Sequence, residues 1–284
     1  MERPAELAEG VTRFHALTPT LPPATHTNSY ALGTRQLLLV EPATPYDDER
    51  RAWVEWARGL VAKGRELVGI LLTHHHADHV GGAAFFEREL GVPLYAHRLT
   101  ASRLAPQITV SRLLDEGDEL VLDGPEPQRW RALFTPGHAP GHLCLHEERL
   151  GALVVGDMVA SVGTILVAPG DGDMRVYIDQ LRRLEALGAK FALPAHGELI
   201  GEPSRLFRAY VMHRLMRESL VHKAVVAAAG GTLDELVPRA YGDTPEAIWP
   251  LAKLSLEAHL EKLEHEGRVL REGERWLPGS EPLG

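Results

Sequence analysis

The segment 74–79, with the sequence HHHADH, constrains the fold and chemistry of this chain more than any other feature. It follows an apolar stretch typical of a buried strand, and side chains two apart on a strand share a face, so His74 and His76 point to one side. A bend after the strand then brings Asp78 and His79 toward the same point. Imidazole and carboxylate groups suit zinc, with manganese or iron also admissible. Four ligands within one bend exceed what a single ion with an open position needs, so the segment predicts two adjacent metal ions.

Three other segments share this arrangement, in which a short apolar run ends at a turn that carries a metal-capable side chain. Short apolar runs bounded by glycine and proline are typical of buried strands. Loops at strand ends are where a rigid sheet presents its chemical groups, so we expect all of these side chains to converge at one edge. The side chains and the runs before them are His142 after 131–134, Asp157 after 150–155, and His196 after 191–193.

This set of residues resembles the signature of the metallo-beta-lactamase superfamily, which has the form His-x-His-x-Asp-His followed by a distal histidine, an aspartate and a last histidine. The resemblance implies an α/β fold, a four-layer αββα sandwich with the site at one edge between the sheets. It also implies the ligand set of each ion. The first ion is expected on His74, His76 and His142, the second on Asp78, His79 and His196, with Asp157 as the bridging ligand.

The same resemblance implies metal-dependent hydrolysis, in which a hydroxide bridging the ions attacks an ester, thioester, lactone or phosphodiester bond. Asp78 and Asp157 are expected to orient this nucleophile and to relay a proton to the leaving group. The expected cofactors are two divalent ions per chain, zinc in the first place, with manganese or iron as alternatives. Two narrower activities stay open: an endoribonuclease that acts on single-stranded RNA, and a dioxygenase that uses a single iron to oxidise persulfides.

After the last metal-capable turn, the pattern changes to helices. Apolar positions recur with helical spacing over 204–229 and end at a glycine pair, and Thr232 with Glu235 forms a capping pattern that begins a second, short helix. A third helix is expected over 245–266, and residues 267–277 alternate around a turn as in a hairpin. Four histidines within the helical patterns are expected at the surface or at an interface. These are His213, His222, His259 and His265.

Three helices followed by a two-stranded wing make a winged-helix module. This tail resembles the winged-helix extension on one branch of the same superfamily, the beta-lactamase-like proteins that include a mitochondrial endoribonuclease. The expected organisation is therefore a metallo-beta-lactamase-like catalytic domain at 1–203 and a winged-helix domain at 204–284.

The charge of the tail bears on its partners. From Leu206 to the C-terminus, ten Lys and Arg stand against twelve Asp and Glu, a net charge of −2, and the whole chain carries −9. Nucleic-acid binders normally display a basic face, because neutralising phosphates supplies much of their affinity, so this composition disfavours DNA binding. Winged helices serve equally as dimerisation modules. The expected partners are a small-molecule or RNA substrate and, through the C-terminal domain, a second copy of the chain.

Cysteine content and hydropathy bear on the compartment. Cys144 is the only cysteine, so the chain has no intramolecular disulfide, which fits a reducing compartment. Residues 1–10 lack the apolar core of a secretory leader, and no run approaches the ~18 to 20 apolar residues that a membrane span needs. The sequence therefore predicts a cytoplasmic protein that does not enter a membrane.

Overall fold

The computed structural model describes residues 3–279, which divide into two compact units. The first unit comprises the chain through Thr135 together with residues 140–165 and 187–204. The second comprises residues 136–139, residues 166–186 and the chain from Arg205 onward. The structure therefore groups one internal helix with the C-terminal segment, and the domain boundary expected after residue 203 stays a prediction.

The first unit contains a seven-stranded sheet whose strands follow one another in chain order. The strands are β1 (Ala5–Ala8), β2 (Val11–Leu17), β3 (His26–Leu32), β4 (Gln36–Val40), β5 (Glu66–Leu71), β6 (Leu94–Ala96) and β7 (Arg112–Leu113). Pairing is antiparallel from β1 to β4 and parallel from β4 to β7. The carboxyl ends of β4 and β5 consequently meet at one edge of the sheet.

A second sheet of five strands lies in the same unit. Its strands are β8 (Glu119–Leu122), β9 (Gln128–Phe134), β10 (Leu143–Glu147), β11 (Ala152–Gly156) and β12 (Phe191–Pro194). The order across the sheet is β12, β11, β10, β9, β8, with only β11 and β12 parallel. The carboxyl ends of β9, β11 and β12 and the amino end of β10 therefore share one edge.

Helices cover the outer face of the first sheet. Strand β4 shows how both faces become buried, because successive side chains of a strand point to opposite sides. Leu37 and Leu39 pack in the cluster with the helices, whereas Leu38 and Val40 pack in the cluster that contains the second sheet. The first unit thus has the expected order of helix, sheet and sheet. Its helices are α1 (Asp47–Ala62), α2 (Ala77–Val80), α3 (Ala83–Leu90) and α4 (Arg98–Leu104).

Aromatic side chains fill the space between helix α1 and the first sheet. The Trp53 ring stacks on Phe86 of α3 with centroids 4.0 Å apart, and Trp56 stacks on Phe14 of β2 at 5.1 Å. Large aromatic rings bury more apolar area than any other side chains and so dominate the energy of such a core. This packing fixes the sheet whose strand ends carry the polar residues.

Among the described residues, the second unit contains four α-helices, one short 3-10 helix (Glu246–Ile248) and a two-stranded hairpin. Its elements are α5 (Met174–Ala186), α6 (Pro203–Ala227), which begins just before the unit, α7 (Leu233–Ala240), α8 (Trp249–His265), β13 (Val269–Glu272) and β14 (Arg275–Pro278). Thr232 and Glu235 form the expected capping box at the start of α7. Trp276 of the hairpin lies 1% exposed in a cluster with α6, α7 and α8. Within residues 3–279, no helix combines the length and the hydropathy needed to cross a lipid bilayer.

Two of the four C-terminal histidines differ from expectation. His222 and His259 are 6% and 0% exposed, so of the two expected positions, surface or interface, the surface one was wrong for both. Burial, followed by the nearby Arg214 and Lys262, holds the pKa of His259 well below its ordinary value, and the ring is therefore neutral in the core. A histidine on a mostly apolar helix carries no local signal of burial, because tertiary packing decides which face turns inward.

Candidate metal centre

The predicted ligands converge where the strand ends of the two sheets meet. Asp157 follows β11 and His196 lies shortly after β12, whereas His142 directly precedes β10. The segment 74–79 follows β5 of the other sheet. The Leu143 backbone N–H donates to the Thr73 carbonyl at 2.9 Å and joins the two sheets at this edge. All seven predicted site residues lie within the first unit.

The bend expected after His76 is a short helix. His76 caps the amino end of α2, which turns Asp78 and His79 back toward the strand end. His74 Nε2 lies 3.0 Å from His76 Nδ1, and the rings of His74 and His79 have centroids 4.0 Å apart. His74 and His79 are fully buried, whereas His76 and Asp78 are partly exposed. The centre is therefore open to solvent on the side of His76 and Asp78.

His142 lies beside His74, with ring centroids 5.2 Å apart, and its Nε2 is 3.1 Å from the Asp157 backbone nitrogen. Gly156 permits this approach, because a Cβ at that position would lie 2.5 Å from His142 Nε2. Thr135 Oγ1 donates to Cys144 Sγ at 3.3 Å and lies 2.8 Å from His142 Nδ1. Because the Asp157 N–H donates to His142 Nε2, that nitrogen is unprotonated, and Nδ1 carries the proton that it donates to Thr135 Oγ1.

His74 is oriented in the same way. Thr73 Oγ1 donates to Glu41 Oε1 at 2.5 Å and lies 2.9 Å from His74 Nδ1. Since the hydroxyl proton points to Glu41, the oxygen accepts from His74 Nδ1, and Nε2 of His74 carries the lone pair that a metal needs. A strand-end threonine therefore selects the tautomer of both His74 and His142.

The remaining four groups form a compact cluster of two imidazoles and two carboxylates. Asp157 Oδ2 lies 3.5 Å from His79 Nε2, and Asp157 Oδ1 lies 3.4 Å from His196 Nε2. Asp78 approaches the same two nitrogens, at 3.7 Å from His79 Nε2 and 3.5 Å from His196 Nε2. One ligand atom from each of Asp78, His79 and His196 lies within 4.8 Å of the others. Asp157 thus faces both histidines at once, one with each carboxylate oxygen.

The donor set fits divalent metal ions. His196 Nδ1 donates to the His26 carbonyl at 3.0 Å, and Glu41 Oε1 lies 3.1 Å from His79 Nδ1. Both Nε2 atoms consequently point at the carboxylates. His79 Nε2 is buried and has no hydrogen-bond partner among the described residues. A buried polar atom without a partner is costly unless something binds it, and convergent imidazole and carboxylate donors suit a metal of the zinc type.

Glu41 is a functional residue that sequence reasoning missed. It is 1% exposed and adopts φ 60, a left-handed conformation that few residues with a side chain adopt. Its Oε1 atom accepts from His79 of the second proposed set and from Thr73, which in turn orients His74 of the first set. The signal was present in the sequence, because Glu41 follows the apolar run of β4 just as the predicted ligands follow theirs.

The carboxylates shift the protonation of the two buried histidines. Burial alone lowers the pKa of His79, but Asp78, Glu41 and Asp157 outweigh it and raise the pKa well above the ordinary value. Burial likewise lowers the pKa of His196, and Asp157 raises it above the ordinary value. Burial alone would raise the pKa of Asp157, but His196 and His79 outweigh this effect and hold the pKa well below the ordinary value. The metal-free centre is therefore an ion cluster in which protons occupy positions that a metal would take.

This protonation predicts proton release on metal loading. The raised pKa values of His79 and His196 favour their protonated forms in the metal-free protein, and a metal binds only the neutral imidazole. We expect zinc binding to release protons and the apparent affinity to rise with pH. Isothermal titration in buffers of different ionisation enthalpy measures the number released. An observed heat that does not depend on the buffer would contradict the predicted protonation.

Two family models match the chain. The model of the metallo-beta-lactamase superfamily matches residues 22–196, and that of the beta-lactamase associated winged helix domain matches residues 232–276. The Lactamase-like protein vrtG of Penicillium aethiopicum is 31% identical, over 86% of this chain and 77% of its own length. The Beta-lactamase-like protein 2 homolog of Drosophila melanogaster is 28% identical, over 93% of this chain and 90% of its own length.

Solved structures resemble the whole chain. A beta-lactamase domain protein from Burkholderia ambifaria superposes with a TM-score of 0.84 at 23% identity, covering 97% of this chain and 93% of its own. A metallo-beta-lactamase family protein from Thermus thermophilus superposes with a TM-score of 0.77 at 25% identity, covering 95% and 98%. These likenesses confirm the expected α/β fold with its winged-helix extension.

Proposed function

Because this chain belongs to the metallo-beta-lactamase superfamily, as its sequence led us to expect, we propose that it is a binuclear metal-dependent hydrolase. The bond it cleaves is an ester, thioester, lactone or phosphodiester. The observation that carries this proposal is the position of Asp157 between the two ligand sets. Its carboxylate faces the Nε2 atoms of His79 and His196 in the second set, and its backbone N–H donates to Nε2 of His142 in the first set at 3.1 Å. A single carboxylate in that position can bridge two ions.

The ligands divide into two sets in this proposal. His74, His76 and His142 hold the first ion, and the close approach of His74 Nε2 to His76 Nδ1 at 3.0 Å supports this set. The second set surrounds the centre of the carboxylate cluster. It consists of Asp78, His79 and His196, joined to the first set through Asp157. Zinc is the metal we propose first, since three neutral imidazoles or two imidazoles with a carboxylate suit it, and manganese or iron are alternatives.

In this proposal the metal ions, Asp157 and Asp78 have different chemical roles. Bound here, two divalent ions would supply an activated water and polarise the oxygen of the bond under attack. Asp157 is buried and stays ionised, because His196 and His79 hold its pKa low. Asp78 is partly exposed, with 17% of its side chain accessible, so it can accept a proton from the nucleophile and pass it to a leaving group.

Charge indicates the class of substrate. Asp78, Asp157 and Glu41 place three carboxylates at the centre, against four positive charges from two divalent ions. Before its bound water loses a proton, the centre is therefore net positive within a chain of charge −9, and it becomes neutral once that water is the attacking hydroxide. The two ions attract carbonyl or phosphoryl oxygens. Both kinds of oxygen occur in the four proposed bond types.

The remaining proposals concern partners and location. We propose a small-molecule or single-stranded RNA substrate, no DNA partner, and a cytoplasmic location. The tail net charge of −2 supports the absence of DNA binding, and the single cysteine supports a reducing compartment. A second copy of the chain is the proposed protein partner of the winged-helix segment.

Activity profiling of metal-defined protein tests the function. The purified chain is analysed for metal content and assayed against ester, thioester, lactone and single-stranded RNA substrates, with oxygen uptake measured on a persulfide. We expect two zinc or manganese ions per chain and hydrolysis of at least one class. One iron per chain with persulfide-dependent oxygen uptake would instead establish the dioxygenase and overturn the hydrolase. Absence of hydrolysis across the panel by a fully metal-loaded protein would also count against it.

A further inference from the structure

The turn that carries His196 is held by a neighbouring hairpin rather than by its own strand. The Asn28 side-chain amide donates to the Pro194 carbonyl at 2.9 Å and to the Gly197 carbonyl at 2.8 Å. One amide group thus spans the turn on both sides of His196. Asn28 is 3% exposed and Pro194 is buried, so the Pro194 carbonyl cannot readily exchange this donor for bulk water, whereas the bond to Gly197 is partly buried.

The backbone of the same residue completes the contact. The Asn28 N–H donates to the Ala195 carbonyl at 2.7 Å, and the His26 carbonyl accepts from His196 Nδ1 at 3.0 Å. Three carbonyls of the turn therefore accept from one residue of β3, and the imidazole itself donates to the strand. Gly197 has φ +90, a conformation that favours glycine and sets the direction in which the turn leaves His196.

Two further side chains of the hairpin support the ends of the turn. Arg13 of β2, 4% exposed, donates to Glu198 Oε2 at 2.6 Å. The Tyr30 hydroxyl donates to the Pro194 carbonyl at 2.7 Å. The Pro194 carbonyl therefore accepts from two side chains, Asn28 and Tyr30, whereas the Gly197 carbonyl accepts from the side chain of Asn28.

We propose that Asn28 is a positioning residue for His196 and thereby controls the affinity of the second ion selectively. This inference rests on the proposed two-ion function. Removing the amide leaves two carbonyls of the turn without this donor, so the turn shifts and His196 Nε2 moves away from Asp157. The histidines of the first ion are oriented by Thr73 and Thr135, which lie on other strand ends. The hydrogen bonds from these threonines to the first-ion histidines do not involve Asn28.

The experiment compares two variants of Asn28 with two matched controls in the same hairpin. Asn28→Ala removes both side-chain bonds, and Asn28→Ser keeps a single, shorter donor in case the alanine variant does not fold. Tyr30→Phe removes one bond to a carbonyl that retains Asn28. Thr18→Val breaks the 2.8 Å bond between the Thr18 and Thr27 hydroxyls, which does not touch the turn.

The readouts are stepwise zinc titration, metal content, the absorption spectrum of the cobalt-loaded protein, and thermal unfolding. In both Asn28 variants we expect the dissociation constant of the second ion to rise about 10–100-fold, the usual effect of losing an outer contact of a ligand, with the first unchanged. The cobalt spectrum should change only at the second equivalent. Both controls should retain the wild-type affinities for both ions.

Several results would overturn the inference. Asn28 variants that bind both ions with wild-type affinity would show that His196 needs no such support. If both ions bound more weakly to the Asn28 variants, and these variants were also thermally destabilised to the same extent as Thr18→Val, Asn28 would have a merely structural role. A wild-type chain that binds only one ion would overturn the two-ion function itself, and this inference with it. Only the first two results leave the proposed function standing.

Discussion

Replacing Asp157 with alanine is expected to lower both metal affinity and hydrolysis by more than about 100-fold, because loss of even an outer contact of a metal ligand costs roughly 10–100-fold. Asp157 faces His79 and His196 with different oxygens, at 3.5 and 3.4 Å. Its loss therefore removes the group proposed to join the two ions. Metal analysis should find at most one ion per chain, and hydrolysis should be measured under saturating metal.

Two controls separate this effect from general damage. Asp157→Asn keeps the shape of the side chain and removes its charge, so it should lower metal affinity while the fold is retained. Asp123→Ala removes an exposed aspartate that pairs with Arg35 and is not one of the predicted ligands. This variant should leave both activity and metal content unchanged. Wild-type activity of Asp157→Ala under the same saturating metal would contradict the bridging assignment.

Replacing Glu41 with methionine should destabilise the protein and empty the metal centre together. Methionine has a similar unbranched length but accepts no hydrogen bond of comparable strength, so the Thr73 hydroxyl and His79 Nδ1 lose a shared, fully buried acceptor. We expect the free energy of unfolding of the metal-free protein to fall by about 3 kcal/mol, as for other buried charged groups that lose a partner. Metal affinity should fall about 10–100-fold.

The comparison variant is Glu41→Gln. Its amide oxygen can replace Oε1 and accept from both Thr73 and His79, so the orientation of the imidazole is kept while the charge is lost. Denaturant unfolding and zinc titration should therefore place this variant between wild type and Glu41→Met. Equal losses in both variants would show that the charge of Glu41, rather than its geometry, supports the centre.

Sequence patterns predicted much of the fold because helix periodicity, turn residues and capping residues depend on interactions between neighbouring positions. The three C-terminal helices and the hairpin were predicted from periodicity, turn glycines and the capping pattern at Thr232, and they occur at nearly the expected positions. The matching family models confirm the expected family. The assignment of individual ligands to two ions stays a prediction, although the structure brings all of the candidate side chains to one edge.

The supporting residues were not predicted. Glu41 follows an apolar run as the predicted ligands do, but no local pattern shows which side chains it contacts, and no local pattern distinguishes Asn28. Glu41 and Asn28 are ordinary strand-end and strand residues until the fold places them against other segments. Thr73 lies 32 residues from Glu41, and His26 lies 170 residues from His196. No pattern that compares neighbouring positions can detect hydrogen bonds of such separation. The surface position expected for His259 was wrong for the same reason, because the residue is buried.

By itself, the sequence determined which chemical groups the chain can offer and in which elements they lie, because side-chain identity and backbone periodicity are properties of short segments. Only the tertiary structure decided which nitrogen of each imidazole faces the centre and which carboxylates share it. These depend on hydrogen bonds from distant strands, which fix the tautomer of His74 through Thr73 and the direction of His196 through β3. Short segments of the sequence thus supply the ligand residues, whereas the packing of the two sheets sets the geometry in which these residues meet.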